Sequence, residues 1–77
     1  MQTFDFVLNV RHDGSRDLDD VVDDLYEGGC DDSIIGSGIP GVLSLRFARQ
    51  ASSKEEAISS AWANVRAVLP NAIEYQG

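Results

Sequence analysis

Asp19, Asp20, Asp23, Asp24, Glu27, Asp31 and Asp32 are the residues of this chain whose type and spacing point most directly to a chemistry. Nine of the 13 acidic residues lie between Asp13 and Asp32, and what such density offers is recognition of positive charge. On a helix, Asp20, Asp23, Asp24 and Glu27 share one face. Like-charge neighbours at i, i+3 and i, i+4 each cost about 0.2–0.5 kcal/mol, and the later acids sit at the negative end of the helix dipole, where cations are preferred. Only Arg16 supplies a local counter-charge. Stability therefore does not account for the pattern. Four carboxylates from Asp20 to Glu27 recur about every 3.5 Å at the helical rise, close to the ~3.4 Å between charges on one DNA strand. A groove built for nucleic acid would accept such a face. The plainer alternative is a solvated face that keeps the protein soluble.

The remaining reactive groups make no site. Asp17-Leu18-Asp19-Asp20 and Asp31-Asp32 lack the alternating oxygen ligands, the glycine and the terminal Glu of a calcium loop, so no metal is expected. Gly36-Ser37-Gly38-Ile39-Pro40-Gly41 matches G-x-G-x-x-G, but it feeds an apparent strand rather than opening a helix, and Pro40 removes a backbone donor. It reads as a hairpin turn, and no cofactor is expected. Cys30 and His12, the only thiol and imidazole, flank opposite ends of a helix about 18 Å long, far beyond the ~3 Å of proton transfer. Cys30 reads as a small buried residue and His12 as a turn residue. Asp13 and Asp17 could flank a glycoside only in a cleft that 77 residues give little room for. An enzyme is not expected.

The elements that must carry the acidic face follow from periodicity. Phe4, Phe6, Leu8 and Val10 alternate with Asp5, Val7, Asn9 and Arg11 as in a half-buried strand, ended by the turn His12-Asp13-Gly14-Ser15. Leu18, Val21, Val22 and Leu25 recur at i, i+3, i+4, i+7, with Asp17 as N-cap and Gly28-Gly29 as stop, which predicts an amphipathic helix of about three turns. Ser33-Ile34-Ile35 leads into the Gly-rich segment Gly36 to Gly41. Leu43, Leu45 and Phe47 then alternate with Val42, Ser44, Arg46 and Ala48, completing a hairpin. Ser53-Lys54-Glu55-Glu56 is a capping box before the stripe Ile58, Ala61, Trp62, Val65, Val68 and Leu69, and Ala72 to Gln76 reads as a last strand. With right-handed crossovers, β-α-β-β-α-β gives an α+β, ferredoxin-like sandwich: one domain over residues 1–77, with two helices on one face of a four-stranded antiparallel sheet. Trp62, Phe4, Phe6 and Phe47 take core positions. The opposite sheet face has no aromatic platform for stacking RNA bases, and Arg11, Arg46 and Arg49 read as scattered surface arginines.

A formal charge of −7 and a pI near 4.3 disfavour nucleic acid and anionic membranes, whose binding runs on Lys and Arg. Basic protein partners are favoured. One cysteine allows no internal disulfide, and the start Met1-Gln2-Thr3-Phe4-Asp5 has neither a basic nor an apolar run, so a cytoplasmic location without a membrane span is expected. A chain this short buries about 60–65% of its unfolded surface, and a homodimer or larger complex would add to its stability.

Leu25-Tyr26-Glu27-Gly28-Gly29-Cys30-Asp31-Asp32, with Gly36, the strand Leu43 to Phe47, and Ser53-Lys54-Glu55-Glu56-Ala57-Ile58, resembles a group of small bacterial proteins. They share an "L-Y/F-E-A-G-C-D-D" helix end and an "S-L-E-E-A-I" helix start. In many of them the domain precedes a helix-turn-helix segment, some beside toxin-antitoxin genes, which implies a regulatory or antitoxin-like dimerisation domain. This chain carries Arg46-Phe47-Ala48-Arg49 where they tend to have "D-F-D-R". By size and acidity it is also similar to phage anti-defence proteins such as anti-CRISPRs. The leading expectation is a non-enzymatic inhibitor or regulator that occupies the basic surface of a nucleic-acid-handling partner through the seven acids named first. The alternative is the sheet-mediated regulatory dimer.

Overall fold

In the computed structural model, which describes residues 1–12 and 17–75, alternation along the first strand sets the whole arrangement. Strand β1 (Gln2–Arg11) pairs antiparallel with β3 (Val42–Ala51) over its full length, from Gln2 opposite Ala51 to Arg11 opposite Val42. β2 (Ser33–Ile39) pairs with the outer side of β3, and β4 (Ile73–Glu74) with the outer side of β1, so the antiparallel sheet runs β2-β3-β1-β4. Helices α1 (Leu18–Leu25) and α2 (Lys54–Val68) follow β1 and β3 in sequence. Residues of one strand phase, Leu8 and Val10 with Leu43, Leu45 and Phe47, form a single buried cluster with Val21, Leu25, Ala61 and Val65 of the helices. The other phase faces away, leaving Val7, Asn9, Arg11, Ser44 and Arg46 exposed. No helix among the described residues is long and apolar enough to cross a membrane.

The expected element order and the α+β class are found, with several corrections. The first helix is shorter than three turns. It stops at Leu25 and continues as one wider, π-type turn, Tyr26–Cys30, that ends on Gly29 at φ +115°. Asp17 occupies the N-cap, but its side chain caps nothing; its carbonyl accepts from the Val21 amide at 3.0 Å. Leu18 is 43% exposed because the stripe needs only Val21 and Leu25 to seal against the sheet. The Gly-rich segment is mostly strand: β2 runs through it with a bulge between Gly36 and Ile39. Only Pro40-Gly41 turns the chain, and Gly41 at φ +79° follows the Pro-Gly order of a type II turn. Phe47 is fully buried, whereas Phe4, Phe6 and Trp62 are half-buried. Trp62 lies at the margin of α2, under the Arg66 guanidinium 5.0 Å from its ring centroid. The last strand is only Ile73–Glu74, extended by the Tyr75 amide donating to the Asn9 carbonyl at 2.8 Å. The Asp13-Gly14-Ser15 part of the first turn, Arg16 and Gln76 lie outside the described residues.

The capping expectation for α2 is met in part. Ser53 Oγ accepts from the Glu56 amide at 3.2 Å. The Glu56 carboxylate accepts from the Ser52 hydroxyl. Glycine is required at position 29, because a Cβ there would meet the Asn64 amide at 2.8 Å and the positive φ is strained for any other residue. We expect Gly29→Ala to lower unfolding free energy by about 2 kcal/mol, read as a shift in urea midpoint. A change below about 0.5 kcal/mol would show that the turn refits freely.

Candidate functional site

Helix α1 buries Val21 and Leu25 and so turns its opposite side outward. Asp19, Asp20, Asp23 and Glu27 are exposed on that side, with Asp31 exposed just past the wide turn. None of these five is in an ion pair among the described residues. The last turn of α1 holds no basic residue, so Asp23 and Glu27 stand at the negative end of the helix with nothing to offset the dipole. Asp24 is half-buried on the flank nearest Val21 and has an interaction of its own. Of the seven acids predicted to face a partner, five thus form an open ridge.

Asp32 belongs to a different structure. Its carboxylate receives Arg49 Nε at 2.7 Å and Nη2 at 3.0 Å. Nη2 also donates to the Gly29 carbonyl at 2.7 Å, and Nη1 to Asn64 Oδ1 at 2.9 Å and Ser60 Oγ at 3.1 Å. The guanidinium lies 4.9 Å from the Phe47 ring centroid, and that ring stacks on Phe6 at 5.2 Å. Every guanidinium N–H therefore has an acceptor, and one side chain ties the end of the wide turn, the approach to β2, and α2 onto β3. Arg49 is not the surface arginine expected from the sequence; its side chain is 11% exposed. The signal was present: Leu43, Leu45, Phe47, Arg49 and Ala51 share the inward phase of β3, and a charge in that phase needs a built-in partner. The Asp32 hydrogen bonds hold the Arg49 pKa above its ordinary value, more than offsetting the opposing effect of burial.

Cys30 is fully buried, as expected, and burial pushes its thiol pKa up; Arg49 opposes this, while Asp32 and Asp31 add to it. Ser33 Oγ donates to the Cys30 carbonyl at 2.6 Å, satisfying one acceptor left by the wide turn. His12 sits where its amide donates to the Gly41 carbonyl at 2.9 Å, beside the β2–β3 turn. Cys30 approaches the sheet near Ser33, opposite Phe47 and Phe6. His12 is six residue steps beyond Phe6, about 20 Å along the strand direction, so thiol and imidazole are at opposite ends. The folded thiol stays protonated as pH rises through its unfolded value near 9.0, whereas the unfolded thiol ionises, so stability is lost as pH climbs above that point. We expect the slope of stability against pH between 9 and 10 to be steeper than in Cys30→Ala, by at most about 1.4 kcal/mol per pH unit; equal slopes would show that the thiol does not contribute.

Among the described residues, no three His, Cys, Asp or Glu side chains converge as a metal site. No protein family, curated protein or solved structure matches the chain.

Proposed function

We propose that this chain is a non-enzymatic binding module that places the α1 ridge on the basic surface of a nucleic-acid-handling protein and so blocks or regulates it. The antiparallel strand order β2-β3-β1-β4 with two crossover helices supports reading the sandwich as ferredoxin-like. One observation carries the functional reading. Asp19, Asp20, Asp23, Glu27 and Asp31 are exposed together without an ion pair among the described residues, and Asp23 and Glu27 stand at the end of the helix where the dipole disfavours acids, an arrangement that costs stability and that a cationic partner would offset. The domain's own inward arginine is already consumed by Asp32, which leaves the ridge available. Its carboxylates stand in for the phosphates of a nucleic-acid strand. Asp24 lies at the flank of this contact, and Asp32 supports it from within.

The test is capture of proteins from the native host on the immobilised chain, with elution by a salt gradient. The expected partner binds nucleic acid, loses that binding when the chain is added, and is released steeply as ionic strength rises. Retention indifferent to salt, or a partner whose nucleic-acid binding is unaffected, would sink the proposal.

A further inference from the structure

From Thr3 to Val7 the outer edge of β1 has no strand beside it among the described residues, and we propose that this stretch joins the same stretch of a second copy to make one continuous sheet. The Tyr75 amide bonds the Asn9 carbonyl, so residues in phase with Asn9 direct their backbone groups toward the β4 side, while the alternate residues serve β3. β4 reaches only Val10 and Arg11. The amides and carbonyls of Thr3, Asp5 and Val7 therefore meet no backbone partner among the described residues. Such a row is a template for another strand. The two edges of the sheet are not alike. β2 breaks its outer edge with the bulge between Gly36 and Ile39, a common guard against pairing. β1 runs in unbroken register from Gln2 to Arg11 with no bulge, lysine or proline.

A second copy fits this edge in one register better than in its neighbours. A two-fold axis through Asp5 would set two Asp5 carboxylates directly opposite, which is unfavourable. An axis through Phe6 would bring Thr3 against Asn9, whose carbonyl Tyr75 already holds. The axis through Phe4 avoids both. It sets Thr3 opposite Asp5 twice, a hydroxyl beside a carboxylate on the open face, and Phe4 opposite Phe4 on the helix side. Phe4 is half-buried in the single chain, so its ring has surface left to cover, and aromatic pairs across strands are favourable. β4 of each copy lies beyond the shared stretch, so nothing is displaced. Both α1 ridges then sit on the same side of the joined sheet. The pairing stands on the edge alone and does not depend on what the ridge binds.

Sedimentation equilibrium of the purified chain from micromolar to millimolar concentration should give twice the single-chain mass of 8.4 kDa. Thr3→Asp, which puts carboxylates opposite Asp5 at both rungs, should weaken the dimer about tenfold, and Thr3→Lys should tighten it at low salt. Asp5→Pro removes an outward donor without touching the β1–β3 ladder and should leave a folded monomer. Phe4→Cys should give a disulfide dimer under mild oxidation, because residues opposite at a non-hydrogen-bonded pair are about 4.5 Å apart, whereas Phe6→Cys should not. A single-chain mass at every concentration overturns the proposal. So does a dimer insensitive to both Thr3 changes and to Asp5→Pro, or equal crosslinking by Phe4→Cys and Phe6→Cys.

Discussion

Arg49→Met is expected to cost roughly 2–3 kcal/mol of unfolding free energy, because it removes one partner of a part-buried ion pair and leaves several acceptors without their donor. A domain of 77 residues has about 4–12 kcal/mol in total at 0.05–0.15 kcal/mol per residue, so this single change removes a large share. The reason lies in how many orphans it creates. Asp32, at 30% exposed, loses both hydrogen bonds, and the Gly29 carbonyl, Asn64 and Ser60 lose theirs. Methionine still covers Phe47, so lost packing is kept small and the polar network is what the measurement reads. Urea unfolding followed by Trp62 fluorescence and circular dichroism supplies the number. Arg49→Lys should recover only part of it, since an ammonium cannot make the two-point contact with Asp32 or lie flat over the ring. A loss below about 1 kcal/mol would show that water replaces the guanidinium, and the network would then be surface decoration.

That network explains which parts of the structure were readable beforehand. The strands were legible because β1 and β3 alternate cleanly between a sealed and an open face, and α2 because Ser53 and its stripe are local signals. The first helix was legible on its buried side and in its Gly28-Gly29 stop, but the widening of its last turn was not: it is set by Gly29 at φ +115° fitting under Asn64, a contact between segments 35 positions apart. The extent of β2 is hidden for a similar reason. Glycines at 36 and 38 signal a loop in isolation, yet the partner strand β3 holds them extended around a bulge. Asp19, Asp20, Asp23 and Glu27 could be placed from helical phase alone. Asp32 could not, because its role depends on Arg49, 17 positions away on β3. The Leu25-to-Asp32 motif therefore holds mostly fold-building residues at its end: Gly29 turns, Cys30 fills, and Asp32 anchors. The residues free to meet a partner are the ones between and before them.

Changing the ridge should separate binding from stability. In a variant carrying Asp20→Asn, Asp23→Lys and Glu27→Lys, affinity for the protein retained by the unmodified chain is expected to fall at least about 100-fold at low salt, since close interfacial charge pairs couple by roughly 1.5–7 kcal/mol and two of them become repulsive. Asp20 is neutralised rather than reversed because it lies in the first turn of α1, where a cation would oppose the dipole. Asp23 and Glu27 lie at the other end, where lysine is favoured; the two positions remain a like-charge i, i+4 pair, but each then faces an acid, Asp19 four residues before position 23 and Asp24 three before position 27. The variant should accordingly be as stable as the parent or more stable by several tenths of a kcal/mol. Stability and affinity then move in opposite directions, which a general folding defect cannot produce. If instead affinity is unchanged while stability rises, the ridge serves solvation only, and the functional reading falls with it.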